Sequence, residues 1–150
     1  MKSNDGMTNF ALLMLRLTAG LILLYFGSQK FLGAFGGMGL TNTIVAFKNS
    51  MGIPTPMTVL AVIAEFFGGL GLVLGVFTRV AAFGVLCTMA VATYTNVQKI
   101  ESLVATQTNP FPINGAAFPM ALGAIALALM LLGSGDWSLE AHFFAKRRRR

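Results

Sequence analysis

Four long apolar runs, separated by short polar or glycine- and proline-rich segments, organise the chain. They cover residues 10–27, 57–77, 80–96 and 116–133, each 17–21 residues long. A helix of that length crosses a hydrocarbon core of roughly 30 Å. Barrel strands would be about half as long and strictly alternating, a pattern these runs lack. The periodicity predicts an all-α, polytopic membrane protein: a four-transmembrane-helix antiparallel bundle. The first run contains Arg16 and has no small-residue cleavage site before Gln29 and Lys30. It therefore reads as a retained span, not as a signal peptide.

The connections are unequal. Between the first and second runs lie Gly33, Gly36, Gly37 and Gly39, then the stretch 41–50 with Ile44, Val45 and Phe47. This predicts a glycine turn followed by a short amphipathic outer helix on the membrane surface. Pro54 and Pro56 then launch the second span. Phe111-Pro112 and Phe118-Pro119 mark the start of the fourth in the same way. Only Thr78 and Arg79 separate the second and third runs, which predicts a tight hairpin.

Composition narrows the class. Of 150 residues, 55% are hydrophobic and 11% charged, and the mean hydropathy is +0.73. A soluble domain carries roughly 25% charged residues, so the deficit excludes a disordered chain and argues against an ordinary soluble enzyme, and the length fits one domain over residues 1–150. The net charge of +6 is concentrated in Lys146 and Arg147 through Arg150, five of the eleven basic residues. That removes nucleic acid as the expected partner and makes 137–150 a basic tail for membrane lipids, with Trp137, Phe143 and Phe144 at the interface. With both termini on one side, that side holds seven basic residues and the other three, Lys30, Lys48 and Lys99. The basic excess predicts cytoplasmic termini.

Few residues carry chemistry. One cysteine, Cys87, and one histidine, His142, leave no disulfide, no thiol pair and no metal set. No phosphate loop, dinucleotide fingerprint or nucleophile elbow is present, so no catalytic residue is assigned and no cofactor has an evident motif. The informative groups are Arg16 and Glu65, charges inside spans that cost roughly 2.5–3.5 kcal/mol each to insert without a partner. Arg16, Gly20, Leu23 and Gly27 form one helical stripe, which Lys30 would extend. Gly68 and Gly69 flank Glu65, and Gly71 and Gly75 continue a small-residue face that lets helices approach closely. Counting depth at about 1.5 Å per residue puts Arg16 about 9 Å and Lys30 about 12 Å from Glu65 along the normal. Arg16–Glu65 is thus the expected pair, by a narrow margin. Either it only pins two spans, or it forms a proton or headgroup site with Gln29 and Lys30; Arg16 snorkelling to the interface is the third reading. On the third span Gly84, Cys87, Thr88, Tyr94 and Thr95 form a mild polar stripe, expected to serve packing.

These pieces together resemble the DoxX family of small four-helix membrane proteins. The carriers are Arg16, the run from Gly27 through Gln29 and Lys30 to Gly33, and Phe35 to Gly39. Met51 to Pro56, Glu65 to Gly69, Leu74 to Arg79 and Leu132 to Glu140 complete them. Family members often carry a histidine near the end of span three and a glutamate before the aromatic-proline pair; here Asn96, Val97 and Ala117 stand there. The resemblance implies a multi-pass protein of the bacterial cytoplasmic membrane linked to redox systems. At most it would be a subunit of a quinone-linked oxidoreductase, with quinone as the ligand and other membrane-complex subunits as partners. The alternative is a non-catalytic assembly or accessory subunit docking on a larger membrane complex.

Overall fold

The computed structural model describes residues 5–104 and 114–147. All regular structure among the described residues is helical. Helix α1 is Asp5–Phe31, followed by a single 3-10 turn, Ala34–Gly36. Then come α2 (Gly39–Met51), α3 (Thr55–Leu74), α4 (Thr78–Val104), α5 (Asn114–Leu132) and α6 (Leu139–Arg147). The portions of α1, α3, α4 and α5 apolar enough to cross a membrane are Gly6–Phe31, Thr55–Leu74, Thr78–Gln98 and Gly115–Leu132. The chain is a multi-pass membrane protein, a four-span helical bundle with a short helix between its first two spans.

Local chemistry sets the helix ends. Pro54, extended at φ −60° and ψ 145°, caps α3, and Pro56 sits in its first turn where a missing N–H costs nothing. Gly75, at φ 66°, ends α3 in the left-handed conformation; its N–H bonds to Leu72 O and that of Val76 to Gly71 O. Gly52, at φ 65°, ends α2 the same way over Lys48 O and Phe47 O. The hairpin link is consequently Gly75-Val76-Phe77, not Thr78-Arg79, which open α4 instead. Helix periodicity cannot separate the last residue of one apolar run from the first of the next; the left-handed glycine does. Pro119 also differs from expectation, lying inside α5 in its second turn.

Around the bundle α1 packs on α3, α3 on α4 and α4 on α5, with α1 and α5 touching more lightly. Glycines let the backbones meet. A Cβ on Gly20 would lie 2.9 Å from Gly69 O, one on Gly69 2.7 Å from Leu24 N, and one on Gly27 2.7 Å from Phe66 Cα. On the other face of α3, Gly68 meets Val85, and Gly71 meets Ala81. Leu12, Ala19, Leu23, Leu72, Val85, Met89, Leu122, Ala126 and Leu129 fill the centre. The outer flanks present Leu21, Phe67, Leu70, Phe83, Val91, Met120 and Leu131. Such an apolar exterior suits hydrocarbon surroundings, in which dispersion and close backbone contact hold helices together.

The two ends of the bundle differ. At one, α2 lies across α1 and α3, while Gly37 folds back so closely that a Cβ would meet the backbone of Gln29. At the other, the segment after α5 crosses the ends of α1 and α3 and the start of α4 before entering α6.

Candidate functional site: a lysine–glutamate pair beneath the amphipathic helix

Glu65 lies midway along α3, facing α1, and its side chain is only 7% exposed. The close contact at Gly27 brings the α1 backbone against Glu65 and Phe66. Lys30, one turn further along α1, turns its side chain back, and Nζ reaches Glu65 Oε2 at 2.5 Å. The lysine side chain remains 28% exposed, so the carboxylate is enclosed while the ammonium is reachable. Pairing offsets the insertion penalty each charge would carry alone.

Helix α2 roofs the pair. Its Phe47 ring centroid lies 5.8 Å from Lys30 Nζ, within range of a cation–π attraction. Beside the pair, Phe31 packs on Phe66 at 5.3 Å and on Phe67 at 5.9 Å, forming an aromatic wall with Phe66–Phe67 at 5.1 Å. Thr58, two turns before Glu65 on its face of α3, and Thr43 on α2 are buried, each hydroxyl donating to its own helix or cap at Pro54 O and Gly39 O. Gln29 is half-buried next to Lys30. The arrangement joins a buried proton-accepting group to an accessible hydrogen-bond donor, walled by flat apolar rings.

Arg16 is elsewhere, which corrects the expected Arg16–Glu65 pair. From Gly27, level with Glu65, back to Arg16 is eleven residues, about 16 Å along the helix, too far for the side chain. The depth count erred because it aligned the two helices by the inner ends of their apolar runs, residues 10 and 77, which would set residue 22 level with Glu65, whereas the structure sets Gly27 there. Glycine contacts, not the ends of the apolar runs, set the register. Lys30 is three residues beyond Gly27, about 4.5 Å by the same rise, and so wins the carboxylate.

At its own end Arg16 is 2% exposed, and its Nε and Nη1 are bonded to backbone carbonyls. Nε donates to Leu72 O at 3.1 Å, and Nη1 donates to Ser134 O at 2.5 Å and Trp137 O at 3.2 Å. The guanidinium crosses Gly75, where a Cβ would come within 2.7 Å of Cζ. Leu72 O lies in the last turn of α3 and accepts from both Arg16 Nε and the Gly75 N–H, so Arg16 reinforces the end of that helix and faces the negative end of its dipole. The loop it holds supplies more links. Asn9 and Asp136 exchange two hydrogen bonds at 2.8 and 3.0 Å, and Glu140 Oε2 accepts from the N–H of Thr78 at the head of α4. Asn9, Ser134 and Trp137 escaped the sequence reading of Arg16. Their signal was the Leu132–Glu140 segment, recognised as a motif but without a partner.

The polar stripe on α4 does not converge on either place. Thr88 and Thr95 donate to Gly84 O and Ala92 O of their own helix, while Cys87 and Tyr94 face outward. Gly20, Gly27, Gly68, Gly69 and Gly71 lie between the chain's own helices.

A family model described as DoxX matches residues 11–98. That stretch contains Arg16, Gln29, Lys30, Glu65 and all of α2. No curated protein and no solved structure matches the chain.

Proposed function

The chain belongs to the DoxX family, and from that premise we propose that it is an integral membrane subunit of a redox complex that binds a quinone head at Lys30 and Glu65. The observation that carries this is the ion pair itself: an enclosed carboxylate bonded at 2.5 Å to a partly accessible ammonium, flanked by Phe31, Phe47 and Phe66. Lys30 donates a hydrogen bond to a ligand carbonyl, the aromatic wall takes the flat ring, and Gln29 offers a second donor. A quinone supplies two-electron chemistry coupled to two protons. Glu65 holds or passes a proton at Oε2, and a partner subunit carrying a redox centre supplies or removes the electrons. Lipid headgroups are the competing ligand for the same donors.

Arg16 has no part in this site, since it lies about 16 Å along α1 from the level of Glu65, with Nε and Nη1 bonded to three carbonyls at the opposite end of the bundle. The reading retains cytoplasmic termini in a bacterial inner membrane, from seven basic residues against three. The accessory-subunit alternative needs a docking surface other than the glycine faces of α1 and α3, which the bundle itself uses.

The test is purification from native membranes with quinone extraction, comparing wild type with Glu65→Gln and Lys30→Gln. Retained quinone in wild type, lost in both variants while the proteins remain folded, supports the reading. Quinone-free wild type, together with full activity of the copurifying complex in Glu65→Gln, overturns it.

A further inference from the structure

At the end opposite the ion pair, an apolar ledge is followed at once by concentrated positive charge. Helix α6 leaves the bundle in a fixed position. Ser138 Oγ accepts from the Ala141 N–H at 3.1 Å, capping the first turn, and the Glu140 N–H donates to Gly75 O at 3.0 Å. Its outward side chains, Leu139, His142 and Phe143, are spaced by three and four residues and so share a face. Trp137 stands just before them, edge-on to Phe10 at 6.5 Å. Trp137 is 53% exposed and Phe143 66%.

The acidic groups of this segment are already engaged, Asp136 with Asn9 and Glu140 with the start of α4. Lys146 and Arg147 through Arg150 follow as five consecutive cations, and Arg79 is exposed at the head of α4. Five adjacent like charges repel one another and call for anions. An apolar ledge continuous with an apolar bundle flank calls for hydrocarbon. A membrane surface rich in anionic lipid provides both, whereas a nucleic acid would leave Trp137 and Phe143 in water.

We propose that α6, which ends in Lys146 and Arg147, forms a binding surface for anionic phospholipid headgroups, with Trp137, Leu139 and Phe143 seated at the acyl boundary. The surface is independent of the Lys30–Glu65 site and holds whichever ligand that site takes. Attraction to an anionic surface weakens roughly fivefold for each basic residue removed.

Trp137 is the single tryptophan and reports directly on the lipids beside it. The full chain is reconstituted in mixed phosphatidylcholine–phosphatidylglycerol bilayers, with bromine on the acyl chains of one lipid or the other. The expected result is a preference of about tenfold or more for the glycerol lipid in the quenching of Trp137. Replacing Lys146 and Arg147 through Arg150 by Gln brings the two lipids to parity, and so does high salt on the wild type, which keeps the test independent of the variant's folding. Equal quenching by both lipids in the wild type overturns the proposal. So does a preference that survives both treatments, or RNA binding by the chain with no lipid preference.

Discussion

At the scale of single residues, two buried charges have opposite solutions. Glu65 is satisfied by another ion and Arg16 by carbonyl oxygens. Removing one member of an enclosed pair strands the other, so Lys30→Met is expected to destabilise the bundle by about 3–5 kcal/mol. The double replacement Lys30→Met with Glu65→Leu should recover most of that loss. Denaturant unfolding in a mild detergent compares them, and additive losses would show that the charges do not act as a pair. For Arg16 the geometry of the fork matters as much as the charge. Arg16→Lys can replace one of the three carbonyl contacts and should cost about 2 kcal/mol or more, without change in ligand binding at Lys30. Wild-type stability in that variant would mean that the contacts to Ser134 and Trp137 contribute nothing.

At the scale of elements, glycine has two unrelated uses, and one methyl group separates them. Gly52 ends α2 at φ 65° with nothing within 4 Å of an added Cβ, while Gly27 has helical backbone but Phe66 Cα 2.7 Å from an added Cβ. Gly52→Ala should therefore cost about 1–2 kcal/mol of local strain and leave the spacing of α1 and α3 unchanged. Gly27→Ala should force α1 from α3, cost about 1–3 kcal/mol from overpacking, and disturb the Lys30–Glu65 pair. Spin-label distances between the two helices discriminate these outcomes; an unchanged distance in Gly27→Ala would contradict the close-contact account. The apolar runs announced the spans, but the small-residue pattern alone could not say which helix each glycine faces. Gly69 looks toward α1 and Gly68 toward α4 because consecutive residues on α3 point about 100° apart.

At the scale of the whole molecule, the segment after α5 closes one end of the bundle. It reaches α1 through Asn9 and Arg16, α3 through Gly75, and α4 through Thr78. Ending the chain after Leu132 removes two of the three carbonyls held by Arg16 and the carboxylate cap of α4. Such a truncation should lower the thermal midpoint in detergent by several degrees and loosen α1 from α5, whose mutual contact is otherwise light. Proteolysis or hydrogen exchange at residues 9–16 reads the loosening, and unchanged protection there would assign the segment to lipid binding alone.

The sequence by itself determined the helical class, the four spans, the amphipathic helix between the first two and the identity of the buried charges. Each follows from hydrophobic transfer and backbone hydrogen bonding, which act on residues near one another in the chain. It did not determine which charges meet. That depended on how far α1 slides along α3, a quantity set by the contacts of Gly20 and Gly27 with Gly69 and Phe66. A shift of two helical turns would return Arg16 to within reach of Glu65 and leave Lys30 without it. Tertiary packing decided the pairing because a salt bridge spans only a few ångströms, while the apolar pattern locates a helix along the membrane normal no more finely than a turn or two.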